Sequence, residues 1–186
     1  LRVADEAFAQ GSEVVSLAEI AHRARLGRAT VYRHFPDRRA LGLAVAAQQL
    51  NMLRRIVKQE DTKRCSFREL LAMVLSSQVA RRPLVRLFRG LPVRYQKQHA
   101  DTLVAILTPA FREAQADGQL REDVEPTDLL LVFDMVETAI AAATARALPC
   151  EATQRIVTVI IDGFLAVPSF PDGRRALTEG ASPHAR

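Results

Sequence analysis

Ser16-Leu17-Ala18-Glu19-Ile20-Ala21 and, six residues on, Gly27-Arg28-Ala29-Thr30-Val31-Tyr32-Arg33-His34-Phe35-Pro36-Asp37-Arg38-Arg39-Ala40-Leu41 form the stretch whose reading decides the fold. Ser16 and Glu19 have capping-box spacing, so the Ser16 hydroxyl can accept a bond from the Glu19 amide and open a helix. Leu17, Ile20, Ala21 and Ala24 then make an apolar stripe of helical period. The Arg25-Leu26-Gly27 step is a three-residue turn. A third helix runs from Arg28 to about His34 and stops before Pro36, because proline disfavours the helical conformation of its predecessor. Asp37 can cap a fourth helix. Two short helices across a three-residue turn make a helix-turn-helix.

The second of these helices has two distinct sides. Arg28, Ala29, Tyr32 and Arg33 fall on one stripe, whereas Val31 and Phe35 point to the core. The polar stripe suits the DNA major groove: arginine can bond two acceptors on a guanine edge, and Ala29 is small enough for close approach to a thymine methyl. Thr30 and Tyr32 can reach phosphates, and His34 is either a phosphate contact or a packing residue. Ser16, with its hydroxyl at a helix start, and Arg38 with Arg39 at the start of the fourth helix would hold the register. Gly27, at the turn, completes the candidate DNA-facing set.

Charge points the same way. Residues 1 to 58 hold ten basic against five acidic side chains, while the remaining residues balance, so the whole net charge of +5 sits at the N-terminal end. A basic head on a neutral body is the layout of a chain that grips a polyanion at one end.

Outward from this stretch, strand signals are nearly absent and apolar residues recur at helical spacing, which predicts an all-α protein of about nine helices. A first helix carries Val3, Ala4, Ala7 and Phe8 and stops near Gly11. The fourth, with Leu41, Val45, Gln48, Met52 and Ile56 along one side, is long enough to join two domains, and a polar run from Gln59 to Ser66 follows it. The expected organisation is a helix-turn-helix head over 1–47, a larger helical domain over 48–167 and a mobile tail over 168–186, rich in Pro, Gly and charge. Phe67, Leu70, Leu71, Val74 and Leu75 fit an amphipathic helix, as do Leu103, Ile106, Leu107, Ala110 and Phe111, the latter with a kink expected near Ala105 to Pro109. Pro126 suits the first turn of a helix reaching about Leu148, and Glu151 to Val167 forms the last. These two helices are apolar nearly all round and need two partners each: their own core and the same pair from a second copy. Ile140, Ala143, Ile156, Ile160 and Phe164 are the candidate dimer-interface residues.

The quoted stretch resembles the TetR/AcrR signature over about the first 47 residues. That family often has Gly where Arg25 stands and Ser or Thr where Gly27 stands, so Arg25 could add a backbone contact. The resemblance implies a repressor that dimerises through its last two long helices and leaves a palindromic operator when a small molecule enters a pocket beside the fourth helix. Phe67, Leu71, Phe88, Leu107, Phe111, Phe133 and Glu137, aromatics and a carboxylate near Pro109, are the candidate pocket residues.

Several other classes are disfavoured. Cys65 and Cys150 are too few for a disulfide framework and lack zinc spacing, which fits a reducing cytoplasm. His22, His99 and His184 have no partners at ligand spacing, so no metal or other cofactor is expected. The apolar runs Leu129 to Val136 and Ile156 to Val167 contain Asp134 or Asp162 and fall short of the roughly 18 residues of a membrane span. No Gly-rich phosphate loop, His-Glu-x-x-His or Gly-x-Ser-x-Gly suggests an enzyme. The expected partners are double-stranded DNA, a second copy of the chain and a small apolar or amphipathic effector. The rival reading is a DNA-binding architectural or assembly module without an effector, which would lack a cavity. No Met begins the sequence, and further residues are expected before Leu1.

Overall fold

Side-chain caps start the helices at the residues that carry the signals. The Ser16 hydroxyl accepts from the Glu19 amide at 3.0 Å, and the Asp37 carboxylate accepts from Ala40 N–H at 2.7 Å. Ser66 and Glu69 form a reciprocal box, with Ser66 N–H on the Glu69 carboxylate at 2.8 Å and Glu69 N–H on the Ser66 hydroxyl at 3.2 Å. The result, in a computed structural model that describes residues 1–9, 16–58 and 65–165, is all-helical among those residues. The helices are α1 (Arg2–Ala9), α2 (Leu17–Arg23), α3 (Arg28–His34), α4 (Arg38–Lys58), α5 (Phe67–Ala80), α6 (Arg82–Arg89), α7 (Val93–Ala116), α8 (Leu129–Ala145) and α9 (Cys150–Leu165). A 3-10 turn over Pro126–Asp128 leads into α8. The Gly11 stop, the polar run from 59 to 64 and the tail from 168 lie outside the described residues.

Two apolar cores organise these elements. The first gathers Ala4, Ala7 and Phe8 of α1, Leu17, Ile20 and Ala21 of α2, Val31 of α3 and Leu41 with Val45 of α4. It also contains Leu84, which comes from α6, and Leu87 and Phe88 of the same helix pack on it. The second core runs from Leu53 through Phe67, Leu71, Leu107 and Phe111 to Val136, Ile140, Val157 and Ile161. There α5 packs against α7, α8 and α9.

α4 belongs to both cores, and its buried side turns between them. Leu41 and Val45 face the first core, but the stripe does not continue through Met52, which is exposed; Leu53 is the buried residue instead, with Leu50, Ile56 and Val57 half-buried. The physical reason is a change of partner: α4 leaves the head, where it meets α1, and packs on α7, which approaches from another side. Near its start Gly42 lets α6 come close. A Cβ there would lie 2.6 Å from a methyl of Leu87. α7 passes through Pro109 as one helix, and the Thr108 hydroxyl donates to the Val104 carbonyl at 2.8 Å, one residue ahead of the carbonyl that proline leaves without its amide.

Candidate nucleic-acid interface and ligand cavity

α3 buries little of itself. Val31 is its buried residue and Phe35, just beyond, is half-buried, which anchors one side and leaves Arg28, Ala29, Tyr32, Arg33 and His34 exposed. Tyr32 keeps 47% of its surface, so it is not a core residue. Thr30 is half-buried. The helix is opened by the Gly27 carbonyl, which accepts from Thr30 and Val31 at 3.0 and 3.2 Å, and closed by Phe35 N–H on the Val31 carbonyl at 2.8 Å.

The turn before it is made by Arg25, whose φ of 54° is left-handed. That conformation costs a side-chain-bearing residue roughly 1 kcal/mol and is where glycine is at ease. Arg25 N–H reaches the His22 carbonyl at 3.0 Å and Leu26 N–H the Ala21 carbonyl at 2.9 Å, which fixes the angle between α2 and α3. The Arg25 side chain is left exposed. At the margins, Ser16 and Arg39 are exposed and Arg38 is half-buried. Glu19 is taken by Arg23 at 2.7 Å and Glu6 by Arg2 at 2.7 Å. Among the described residues Arg25, Arg28, Arg33 and Arg39 form no ion pair, so their charge is offered to solvent or to a polyanion.

Behind the head, α4, α5, α6, α7 and α8 line a cavity of about 440 Å³ that is partly open to solvent. Leu84, Phe88, Leu103, Leu130 and Phe133 give it apolar walls, and Gln78, Arg81, His99, Asp134 and Glu137 add polar ones. The His99 ring lies 4.9 Å from that of Phe88, and burial holds its imidazole below the usual 6.5. Arg89 pairs with Glu137. Gln78 Oε1 is buried without a hydrogen-bond partner among the described residues, a group that an occupant could satisfy. A second cavity of about 530 Å³, running between α4 and α5 past Met52, Ile56 and Met73, shares the wall formed by Gln49, Ser77, Gln78, Arg81, His99 and Leu103.

Of the pocket residues expected from sequence, Phe88, Phe133 and Glu137 line the first cavity. Phe67, Leu71, Leu107 and Phe111 lie instead in the closed core, where the Phe67 and Phe111 rings meet edge-on at 5.2 Å. Apolar residues at helical spacing look alike whether they fill a core or line a hole. The polar wall was missed, although the run Ser76-Ser77-Gln78, interrupting the apolar period of α5, is a visible signal for it. Of the expected dimer residues, Ile140 and Ala143 are buried in the chain's own core and Ile160 and Phe164 pack against it half-buried, whereas Ile156 is exposed. Leu131, Met135 and Val159 join Ile156 as exposed apolar residues on α8 and α9.

Fold and site together define a helix-turn-helix protein, all-helical among the described residues, with partly open cavities in its body. Residues 1–45 match the family of bacterial regulatory proteins of the tetR type. Over 88% of its length the chain is similar in fold to a solved TetR-family regulator. A Rhodococcus sp. protein assigned to the TetR-family transcriptional regulators is 19% identical with a TM-score of 0.56, over 88% of this chain and 95% of its own. The TetR transcription regulatory protein from Mycobacterium vanbaalenii is 27% identical with a TM-score of 0.54, over 89% and 92%. Salmonella enterica GusR is 21% identical with a TM-score of 0.51, over 88% and 92%. A comparison with curated proteins found no match. Among the described residues no helix is long and apolar enough to cross a membrane.

Proposed function

We propose that the chain is a dimeric, sequence-specific DNA-binding transcriptional regulator, a repressor that leaves a palindromic operator when a small amphipathic molecule occupies the body cavity. The observation that carries this reading is the exposed stripe of α3, where Arg28 and Arg33, which form no ion pair among the described residues, stand beside Tyr32 and Ala29. Arg28 and Arg33 read base edges; Arg25, Arg38, Arg39, Ser16 and Thr30 hold the phosphate backbone. The exposed apolar residues Leu131, Met135, Ile156 and Val159 supply the face for a second copy, whose head reaches the next major groove about 34 to 36 Å away.

The cavity favours this reading over a purely architectural module, because its volume falls in the range of small-molecule sites and its walls mix aromatic with polar groups. α6 connects cavity to head: Phe88 lines the one and packs on the core of the other.

The test is selection of bound sequences from random duplex DNA, followed by titration at two salt concentrations. A palindromic site with steep salt dependence is the expected result. Binding without sequence preference would leave only the architectural module standing.

A further inference from the structure

Arg81 occupies three positions at once. Its backbone ends α5 and precedes α6 with φ −107° and ψ 44°, which belong to neither helix, and its N–H donates to the Ser77 carbonyl at 3.0 Å. Its guanidinium holds Asp5 of α1 with both arms, Nε to Oδ1 at 2.7 Å and Nη2 to Oδ2 at 3.0 Å, while Nη1 donates to the Ser77 hydroxyl at 3.0 Å. Gln49 of α4 donates to the same Asp5 oxygen at 2.7 Å. Arg81 and Asp5 are each only about a quarter exposed, at 23% and 24% of side-chain surface. Arg81 is also part of the wall shared by the two cavities. A bidentate contact tying the DNA-binding head to the α5–α6 corner is therefore within reach of a cavity occupant.

The chemistry of that wall selects the occupant. Gln49, Ser77, Gln78, Arg81 and His99 supply amides, a hydroxyl, a guanidinium and an imidazole whose charged form burial disfavours. The carboxylate facing them is Asp5, already engaged. Asp101 and Asp134 are exposed, and Glu137 is held by Arg89. Among the described residues the unpaired carboxylates of the lining, Asp101 and Asp134, stand at the exposed rim, so a ligand ammonium would find none beside Arg81, whereas a ligand carboxylate would find the guanidinium fork it fits best. Apolar surface flanks the wall on both sides: Phe88, Leu130 and Phe133 on one, Leu53, Ile56 and Met73 on the other.

We propose that the cavity takes an amphipathic monocarboxylate whose carboxylate competes with Asp5 for Arg81, so that its arrival unlatches α1 from the α5–α6 corner. One guanidinium fork cannot grip two carboxylates in the same way, so ligand and head exclude each other there. The proposal rests on the reading of the body as ligand-responsive, and it adds the class of ligand and the bond it breaks. By linkage, the ligand loosens the Asp5 contact by the same factor by which that contact weakens the ligand's hold, so a weaker contact favours the ligand.

The experiment uses the full chain with hexanoate, decanoate and tetradecanoate, each beside the alcohol of equal length, and measures binding by calorimetry and operator affinity with a selected duplex. At least one acid should bind about tenfold more tightly than its alcohol and weaken operator binding by a similar factor. D5N, nearly isosteric, should tighten that acid several-fold and shrink its effect on the operator. R81Q should abolish the preference for acid over alcohol, and if R81Q melts before assay temperature, D5N carries the test. Acids and alcohols binding alike, no acid binding at all, or an acid affinity unchanged in D5N would overturn the latch. Sequence-specific DNA binding measured on the same protein reports separately on the regulator reading: its loss sinks that reading, while its presence with no competition at Arg81 sinks the latch alone.

Discussion

Arg28 and Arg39 are both exposed arginines, yet their positions give them different work. On the proposed reading Arg28, the first residue of α3, meets a guanine edge, whereas Arg39, in the first turn of α4, meets backbone phosphate. R28A should weaken operator binding by about 1 to 3 kcal/mol and blur the preference at one base position. R39A should weaken operator and random duplex alike and reduce the salt slope by about one. Equal losses on both DNAs for both variants would refute the division of labour. Arg25 carries a different tension, because its left-handed backbone wants glycine while its side chain supplies charge. R25G should hold or raise the melting temperature, with a gain of up to about 1 kcal/mol, yet lose affinity for every duplex. A clear drop in stability would show that the turn is not strained by its side chain.

At the scale of elements, the contact of α4 with α6 is a close approach beside the cavity. Gly42 leaves room for Leu87, and a side chain there would press on α6. G42V should cost about 1 to 3 kcal/mol through overpacking and alter operator affinity even without ligand, because α6 also supplies Leu84 to the head core. A stable G42V protein with unchanged operator binding would mean that α6 does not set the pose of the head. Helices were legible wherever a cap or breaker sat in the sequence: Ser16, Pro36, Asp37 and Pro126 each stand where an element starts or stops. The fate of a helix face was less legible. Met52 and Leu53 are neighbours of similar polarity, and only the direction from which α7 arrives decides that Leu53 is buried and Met52 is exposed. Likewise Phe111 and Phe133 share a residue type, but one fills a core and the other walls a cavity. The exposed face of α3 was readable because its residues come from a single continuous segment, whereas the wall around Arg81 gathers side chains from several helices.

For the molecule as a whole, the apolar faces left open on α8 and α9 and the charges near the latch both have measurable consequences. Val159 keeps 66% of its surface. V159E should shift the chain toward monomer in sedimentation and lower operator affinity more than tenfold, since two heads on one palindrome bind with avidity. An unchanged dimer would move the interface elsewhere. Acid should act on the fold in two stages. Burial holds His99 below its usual 6.5, so the unfolded chain takes the proton first, and the stability that the neutral imidazole confers is present above 6.5 and lost as pH falls toward its folded value. The Arg81 hydrogen bond holds Asp5 below its usual 3.8, so its contribution is present above 3.8 and lost as pH falls further. Melting temperature should therefore decline in mild acid and again in strong acid; H99L should remove part of the first decline and D5N part of the second. If H99L melts with the same mild-acid profile as the parent, the buried imidazole is not its cause.

Leu84 lies far along the chain from α1 to α4, yet it is 5% exposed because it fills the head's own core beside Phe8 and Val45. The head is therefore not a free-standing cassette. A chimera that joined these first four helices to another relative's body would inherit a hole where Leu84 had been, or a clash with whatever replaced it. On the proposed reading, exchange of DNA specificity between such proteins by recombination must carry α6 along with the head, whereas exchange by point substitution on the open face of α3 carries no such burden.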